Sequence, residues 1–204
     1  MAKKLVGAAL LGQSGGPTSV INASAAGVFL EALKHEEITE VYGAAHGIKG
    51  ILDENFYDIR KEDVEELERL KYTPSSAIGS VRYKLKDVTV DPTDYNKLLE
   101  IFKKYNIRYF FYNGGNDSMD TCLKISKFMK KSGWECRVVG VPKTIDNDLA
   151  GIDHSPGYGS AAKYVATSVM ELYLDGTVYN TQQFVIVEVM GRNAGWLTAA
   201  AQLA

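Results

Sequence analysis

Short apolar runs of strand length alternate along this chain with longer stretches of helical periodicity. The runs that predict strands are Leu5–Leu11, Glu40–Ala45, Arg108–Asn113, Arg137–Val141 and Gln183–Val189. Helical periodicity covers Ser19–His35, Asp63–Leu70, Pro92–Tyr105, Asp117–Ser132, Gly157–Leu174 and Asn193–Ala204. Alternation of this kind predicts βαβ units and a mainly parallel sheet. The runs "RYFFYN" and "RVVGV" lack polar alternation, which is typical of central strands covered on both faces.

The pattern predicts an α/β protein with a Rossmann-like three-layer sheet of mainly parallel strands. A stretch rich in Gly, Ser and Pro follows Leu149, so we expect one domain over residues 1–149 and the start of a second α/β domain over 150–204. The formal net charge is -2 and no basic block stands out, so nucleic acid is not an expected partner. Nor does any apolar run approach the length that spans a membrane.

Four of the predicted strands end in loops of unusual composition. These loops are "GQSGGPTSVINAS", "GGNDSMD", "PKTIDND" and "MGRNAGW". Open parallel sheets bind ligands beyond the carboxyl ends of their strands. Ordinary turn chemistry could explain one such loop, but four at one edge of a sheet favour a binding site.

The first two loops have features that suit phosphate. Gly12–Ser19 is neither a Walker A loop nor GxGxxG, yet exposed backbone N–H groups before a helix favour an anion. Paired glycines before Asn116 let a ligand approach the backbone, and a carboxylate there implies Mg²⁺. A plain tight turn and a helix cap remain the simpler alternatives. Arg82 follows a Gly-Ser pair and either grips phosphate oxygens or is a solvated surface arginine.

The "PKTIDND" loop places one cation and two carboxylates just past an apolar run. Asp146 and Asp148 are two residues apart and would point the same way in an extended segment. One carboxylate could accept a proton from a hydroxyl while the other helps to hold a metal, and Lys143 would offset phosphate charge. The alternative is an Asx-type turn with surface charges.

Together these motifs resemble those of the phosphofructokinase family. "SGGPTSVINA", "GGNDS", "TIDND" and "MGRNAG" stand in the family's order with similar spacing, through nearly the whole chain. The resemblance implies transfer of a phosphoryl group to the 1-hydroxyl of fructose 6-phosphate, which gives fructose 1,6-bisphosphate in glycolysis. It also implies Mg²⁺, a cytoplasmic location and, for the full-length protein, a homo-oligomer.

The resemblance also implies roles for individual residues. It makes Asp146 the general base, with Lys143 beside it in the catalytic loop. The implied donor-phosphate residues are Gly16, Arg82, Asp117 and Ser118. The implied sugar-phosphate residues are Thr144, Met190, Gly191 and Arg192. Asn116 replaces the family's metal-linked aspartate, so the metal ligands are expected to be Asp117 and Asp148.

Two positions bear on the phosphoryl donor. Members of the family that use ATP have glycine at the positions of Asp117 and Lys143, whereas members that use pyrophosphate have Asp and Lys. A carboxylate at Asp117 would fill the space of a nucleotide's α-phosphate and repel its charge, which disfavours ATP. Pyrophosphate is therefore the predicted donor, with an ATP-dependent enzyme as the nearest alternative.

Two further interpretations are kept as alternatives. A non-catalytic phosphate-binding homologue would have no need of a base at Asp146. A nicotinamide-dependent dehydrogenase is disfavoured because the first loop lacks GxGxxG. The ATP-using members of the family carry an arginine where this chain has Gln183, seven residues before the methionine of "MGR". In those enzymes the arginine reaches the sugar-phosphate site of a neighbouring subunit, so its loss puts that shared contact in doubt here. Because family members continue past the "MGR" helix, we expect these 204 residues alone to be incomplete and to turn over little.

Overall fold

The computed structural model describes residues 4–203. The chain forms two units, Met1–Pro142 (unit 1) and Lys143–Ala204 (unit 2). This division lies between the end of a strand and the "KTIDND" segment, whereas the composition of the sequence placed the crossing after Leu149.

Unit 1 is built on a sheet of five strands in the order β3-β2-β1-β4-β5. The strands are β1 (Gly7–Gln13), β2 (Ile38–Ala44), β3 (Phe56–Asp58), β4 (Ile107–Gly114) and β5 (Arg137–Pro142). β1 pairs in parallel with β2 and β4, β4 pairs in parallel with β5, and only β3 is antiparallel. The predicted mainly parallel α/β sheet is confirmed. The sequence did not reveal β3, since three residues show no pattern.

Five helices connect and cover these strands. They are α1 (Ile21–Ala32), α2 (Gly47–Leu52), α3 (Val64–Arg69), α4 (Thr93–Lys104) and α5 (Asn116–Lys131). Four of the five lie within or close to their predicted ranges. α2 was not predicted because "GIKGIL" is only six residues long and contains two glycines, which obscure helical periodicity.

Apolar side chains fill both faces of the sheet. Ala8 and Leu10 pack among residues of α2, α4 and α5, while Ala9 and Leu11 pack with α1 and α3 on the other face. The alternation follows from the two-residue period of a strand. It confirms the three-layer arrangement and explains why β1 and β4, at the centre, read as continuous apolar runs.

β5 is an edge strand in the described chain, so the prediction of a central position for "RVVGV" was wrong. Its residues are exposed or half-buried, and Val139 is 44% exposed. It pairs with β4 on one side, and no strand within residues 4–203 pairs with its other side. An apolar run cannot by itself report whether a strand has one neighbour or two.

Unit 2 contains α6 (Tyr158–Thr177) and α7 (Trp196–Ala201). Tyr158 donates a hydrogen bond from its hydroxyl to the carbonyl of Trp196, 3.3 Å away, which links the two helices. No residue of α6 is buried. None of the helices within residues 4–203 is both long and apolar enough to cross a membrane.

The strand predicted over Gln183–Val189 does not form in the described chain. This segment has no regular structure, and Phe184 and Ile186 are 94% and 95% exposed. A strand needs a hydrogen-bonded neighbour, and residues 143–203 supply none to this segment. The predicted helix Asn193–Ala204 forms over a shorter range, and its last predicted residue lies outside the described chain.

Candidate active site

The loop that follows β1, residues 14–19 and called the glycine loop below, and the "GGNDS" loop leave adjacent strands at the same edge of the sheet. Gln13 at the end of β1 is in register with Asn113 near the end of β4. The backbone N–H of Ser14 donates to the carbonyl of Asn113 over 2.9 Å, which continues the pairing into the loops. The sheet therefore brings the two predicted phosphate loops together.

Gly16 and Arg82 lie side by side although 65 residues separate them in the sequence. A methyl group added to Gly16 would lie 3.5 Å from Nη2 of Arg82. Arg82 is exposed, so its guanidinium is accessible from solvent beside an open stretch of backbone. Backbone and guanidinium together can bind phosphate oxygens, which fits the role predicted for both residues.

Arg82 belongs to a long connection, residues 73–92, that a buried polar network fastens to β1 and α1. Gln13 and Asn22 are each fully buried, and Gln13 Nε2 donates to Asn22 Oδ1 over 3.0 Å. Ser76 Oγ donates to Gln13 Oε1 over 2.6 Å, and the Ala77 N–H donates to Asn22 Oδ1 over 2.8 Å. The network fixes residues 73–77 against the first strand and helix.

A second set of contacts ties the same connection to the glycine loop itself. Gly15 N–H donates to the carbonyl of Val81 over 3.0 Å, and Ser80 Oγ donates to the carbonyl of Gly15 over 2.6 Å. Gly15 has a φ of 78°, in the left-handed region where glycine is favoured. The residues that directly precede Gly16 and Arg82 are thus bonded to each other.

The start of α5 places Asp117 and Ser118 in different surroundings. Ser118 is buried against Gly114, and a methyl group on Gly114 would lie only 2.0 Å from the Ser118 hydroxyl oxygen. Asp117 is exposed in the first turn of α5. The N-cap residue is Gly115, which has no side chain with which to cap the helix.

Buried polar groups lie beneath these loops. Asn113 donates from Nδ2 to the carbonyl of Val141 over 2.9 Å, which joins the ends of β4 and β5. Chiefly because of burial, the pKa of the neighbouring Tyr112 is raised, so its phenol stays neutral. The ends of three adjacent strands are thus held by polar contacts as well as by the sheet.

Residues Lys143–Asp148 begin unit 2 and form the turn that the sequence predicts to be catalytic, called the catalytic turn below. The backbone N–H of Asp146 donates to Thr144 Oγ1 over 3.1 Å, and Thr144 N–H donates to the carbonyl of Pro156 over 3.0 Å. One oxygen of the Asp146 carboxylate, Oδ1, is buried without a hydrogen-bond partner within the described residues. A buried carboxylate oxygen without a hydrogen-bond donor lowers the stability of the fold, and such unsatisfied groups often have a functional role.

Asn147 clamps this turn from between the two aspartates. Its Nδ2 donates to the carbonyl of Asp153 over 3.0 Å, and its Oδ1 accepts from the Ser155 N–H over 2.8 Å. Its φ of 55° lies in the left-handed region, which asparagine tolerates better than most residues.

The left-handed residue also corrects an expectation about the two carboxylates. The segment is not extended at Asn147, so Asp146 and Asp148 need not share a face. Asp146 is half-buried, with Oδ1 inside, whereas Asp148 is exposed. The two carboxylates therefore lie in different surroundings.

Lys143 is buried and directly precedes Thr144. No group of three or more His, Cys, Asp or Glu residues within 4–203 could hold a metal by itself. Mg²⁺, however, is often bound by one or two carboxylates together with phosphate oxygens and water. The exposed carboxylates of Asp117 and Asp148 are each suited to such a minor share.

The "MGR" segment forms a tight turn before α7. Gly191 has a φ of 123°, and a methyl group there would lie 2.3 Å from the carbonyl oxygen of Ala194. The N–H of Ala194 donates back to the carbonyl of Gly191 over 3.2 Å. Met190 and Arg192 are exposed on this turn. The conformation therefore requires glycine at position 191.

Comparison with known proteins identifies the family to which these motifs belong. The family model described as Phosphofructokinase matches residues 8–204 of the chain. The chain belongs to the phosphofructokinase family.

Individual members of the family agree with this assignment. A curated Halomonas elongata relative, named pyrophosphate–fructose 6-phosphate 1-phosphotransferase, is 49% identical over 96% of this chain and 48% of its own length. The crystal structure of a pyrophosphate-dependent phosphofructokinase from Marinobacter aquaeolei matches with a TM-score of 0.89 and 45% identity, over 97% of this chain and 49% of that one. An ATP-dependent 6-phosphofructokinase from Actinobacillus pleuropneumoniae is 34% identical over all of this chain and 58% of its own length.

The chain thus spans about half the length of the pyrophosphate-named relatives that it matches. It contains the four motifs by which the phosphofructokinase resemblance was identified, on the loops described above.

Several residues of this phosphofructokinase site were not singled out from the sequence. They are Gln13, Asn22, Ser76, Ser80 and Asn147. Gln13 ends an apolar strand and Asn22 lies in the first turn of a helix with an apolar inner face, and a polar residue at a buried position signals a hydrogen-bonded network. Asn147 lies within the "TIDND" motif, but the motif does not show the left-handed backbone that makes Asn147 structurally important.

Proposed function

We propose that the full-length protein containing this chain is a phosphotransferase. It transfers a phosphoryl group from pyrophosphate to the 1-hydroxyl of fructose 6-phosphate and produces fructose 1,6-bisphosphate. The observation that carries the proposal is the catalytic turn, in which the Asn147 clamp holds Asp146 with one carboxylate oxygen buried and without a partner. Asp146 as a whole is only half-buried, so its carboxylate remains partly accessible to the hydroxyl group of a substrate.

The chemistry follows from the roles that these residues can fill. Asp146 accepts the proton of the attacking hydroxyl, which makes the oxygen a better nucleophile. The hydroxyl of Thr144 accepts the Asp146 N–H and can still donate its own proton to a ligand oxygen. Phosphoryl transfer otherwise depends on positioning and charge stabilisation, to which Arg82, Lys143 and the glycine loop contribute.

Mg²⁺ is the proposed cofactor, with Asp117 and Asp148 as its protein ligands. When bound, the ion supplies positive charge that offsets the phosphate oxygens. Asn116 replaces an aspartate of the family and can offer a metal only a neutral amide oxygen. The exposed carboxylate of Asp117, next to it, is therefore the better Mg²⁺ ligand.

Pyrophosphate is the proposed phosphoryl donor because positions 117 and 143 both carry the residues, Asp and Lys, of the family members that use pyrophosphate. Asp117 is exposed at the start of α5, and Lys143 follows β5 directly. Support also comes from relatives at 44% to 50% identity that are named as pyrophosphate-dependent. The ATP-dependent relative at 34% identity keeps ATP as the second candidate.

The experiment compares kcat/KM for pyrophosphate and for ATP, with fructose 6-phosphate as acceptor, in the full-length protein and in its Asp117→Gly, Lys143→Gly double variant. The parent protein should prefer pyrophosphate by at least about 100-fold, since unfavourable charge contacts cost several kcal/mol. The double variant should lose most of that preference. A parent protein that prefers ATP would show the donor assignment to be wrong, and one inactive with both donors would favour a non-catalytic homologue.

A further inference from the structure

We propose that the buried amides of Gln13 and Asn22 position Arg82 for the donor phosphates and do so through Ser76. The inference rests on the proposed function, because it concerns the donor end of the same site. Neither Gln13 nor Asn22 is accessible to a ligand, since both are fully buried. Their part is to fix the path of the connection that carries the arginine.

The connection needs such fixing because of its length. Residues 73–92, between a 3₁₀ turn and α4, contain no helix or strand. Connections this long without regular structure are uncommon in compact domains, and each residue held in one conformation costs about 1–2 kcal/mol of entropy. Arg82 lies in the middle of this stretch, where the flanking elements constrain it least.

The two amides meet that need with nearly all of their hydrogen-bonding capacity. Gln13 Oε1 accepts from Ser76 Oγ over 2.6 Å and from the Ile78 N–H over 3.4 Å. Asn22 Oδ1 accepts from the Ala77 N–H, and Asn22 Nδ2 donates to the carbonyl of Thr73 over 2.9 Å. Backbone or side-chain groups of four residues between 73 and 78 are therefore bonded to two side chains.

The connection requires hydrogen-bonding side chains rather than apolar ones at positions 13 and 22. An apolar pair would pack into the same space between β1 and α1, but it would leave the N–H groups of Ala77 and Ile78 without these partners. A fully bonded polar network instead specifies one path for the chain. That path places Arg82 with its Nη2 3.5 Å from the position of a methyl group on Gly16.

Correct placement matters for an arginine more than for a lysine. A guanidinium binds two phosphate oxygens through a rigid planar fork, so its affinity depends on orientation. The Gly15–Val81 and Ser80–Gly15 bonds hold the connection directly before Arg82. The bonds of Gln13 and Asn22, called the amide network below, hold its start at residues 73–78, so the two sets together fix the path that leads to the arginine.

The test is a double-mutant cycle between Ser76 and Arg82 in the full-length protein. Affinity for inorganic pyrophosphate is measured by calorimetry, and KM for fructose 6-phosphate is measured in parallel. Ser76→Ala should weaken pyrophosphate binding about fivefold, the value of one hydrogen bond, and Arg82→Ala about 30-fold, the value of a charge-assisted contact. The double variant should bind no more than about twofold more weakly than Arg82→Ala, because the network acts through the arginine.

Two further variants separate positioning from general damage. Ser75→Ala removes an exposed hydroxyl from the neighbouring residue and should leave pyrophosphate affinity unchanged. Ser76→Thr keeps a hydroxyl at the network and should restore affinity to within about twofold of the parent. Fructose 6-phosphate KM should stay constant throughout the series.

The inference would be overturned if the effects of Ser76→Ala and Arg82→Ala were additive, or if Ser76→Ala left pyrophosphate affinity unchanged. Failure of the proposed function has a different signature. If the parent protein transfers phosphoryl groups only from ATP, the donor assignment fails, and the same cycle with ATP as the ligand still tests the positioning of Arg82.

Discussion

The donor loops of unit 1 and the catalytic turn of unit 2 are held by contacts of different range. On the donor side, Ser76 bonds to Gln13 across 63 residues of sequence. In the catalytic turn, Asn147 bonds to the carbonyl of Asp153 and the N–H of Ser155, which are 6 and 8 residues away. The donor loops are therefore fixed by contacts between distant parts of the sequence, and the catalytic turn is fixed by contacts between nearby residues.

This difference determines how each half should respond to substitution. The catalytic turn has few bonds and two of them come from Asn147, so removal of that one side chain should loosen it. A connection held by several bonds from β1, α1 and the glycine loop retains most of them when one is lost. Single substitutions should therefore have large effects in the turn and graded effects on the donor side.

The largest effect is expected at Asp146. Asp146→Asn keeps the shape of the side chain but removes the proton acceptor, so kcat of the full-length protein should fall about 1,000-fold. Pyrophosphate affinity should change less than about twofold, because asparagine has nearly the size of aspartate and the backbone bond to Thr144 is retained.

The control for this prediction is Asp148→Asn, which alters the exposed carboxylate of the same turn. It should raise the Mg²⁺ concentration needed for half-maximal rate more than it lowers kcat at saturating Mg²⁺. Equal losses of kcat in the two variants would show that the turn does not separate the roles of its two carboxylates.

A smaller but still large effect is expected at Asn147. Asn147→Gly removes both side-chain bonds but tolerates the φ of 55°, so kcat should fall about 10- to 100-fold as the turn loosens. Asn147→Ala removes the same bonds and adds left-handed strain, which should lower the free energy of unfolding by about 1 kcal/mol more.

Steady-state kinetics and urea unfolding of the two Asn147 variants separate the bonds from the backbone strain. If Asn147→Gly retained full kcat, the hydrogen bonds would not be what holds Asp146, and the contrast with the donor side would not hold. Fructose 6-phosphate KM should rise by less than kcat falls, since the clamp acts on the base.

The two halves also differ in how far they could be predicted from the sequence. The catalytic turn is contiguous, so its motif, its charges and its place after a strand were all readable in "VPKTIDND". The sheet was equally readable, because parallel strands carry apolar runs and the helices between them show their period. What could not be read was the left-handed turn at Asn147, which changes where Asp146 and Asp148 lie.

Long-range pairings were beyond prediction for a physical reason. Gly16 and Arg82 were each assigned to the donor phosphates by resemblance, but periodicity and motif spacing say nothing of a contact across the whole β2–α3 region. The segment Gln183–Val189 illustrates the opposite error. Its composition favours a strand, yet strand formation requires a hydrogen-bonding neighbour that residues 143–203 do not provide.

The smallest effect is expected at Tyr83, which anchors the connection beyond Arg82. Its hydroxyl donates to Asp94 Oδ2 over 2.8 Å, and this bond, together with burial, raises the pKa of Tyr83 to about 12. The folded state favours the neutral phenol, so the contribution to stability is complete below the ordinary pKa of 10.0 and is lost as the pH rises towards 12. Tyr83→Phe should therefore lower the urea midpoint slightly at pH 8, and this difference from the parent should shrink between pH 10 and 12.

Tyr72→Phe is the matched control, because Tyr72 is 88% exposed. It should leave the midpoint unchanged at pH 8. Pyrophosphate affinity of Tyr83→Phe should weaken by no more than about twofold, since the amide network and the glycine loop still hold the other side of Arg82. A loss as large as that of Arg82→Ala would mean that one anchor controls the arginine, and the donor side would then be as fragile as the catalytic turn.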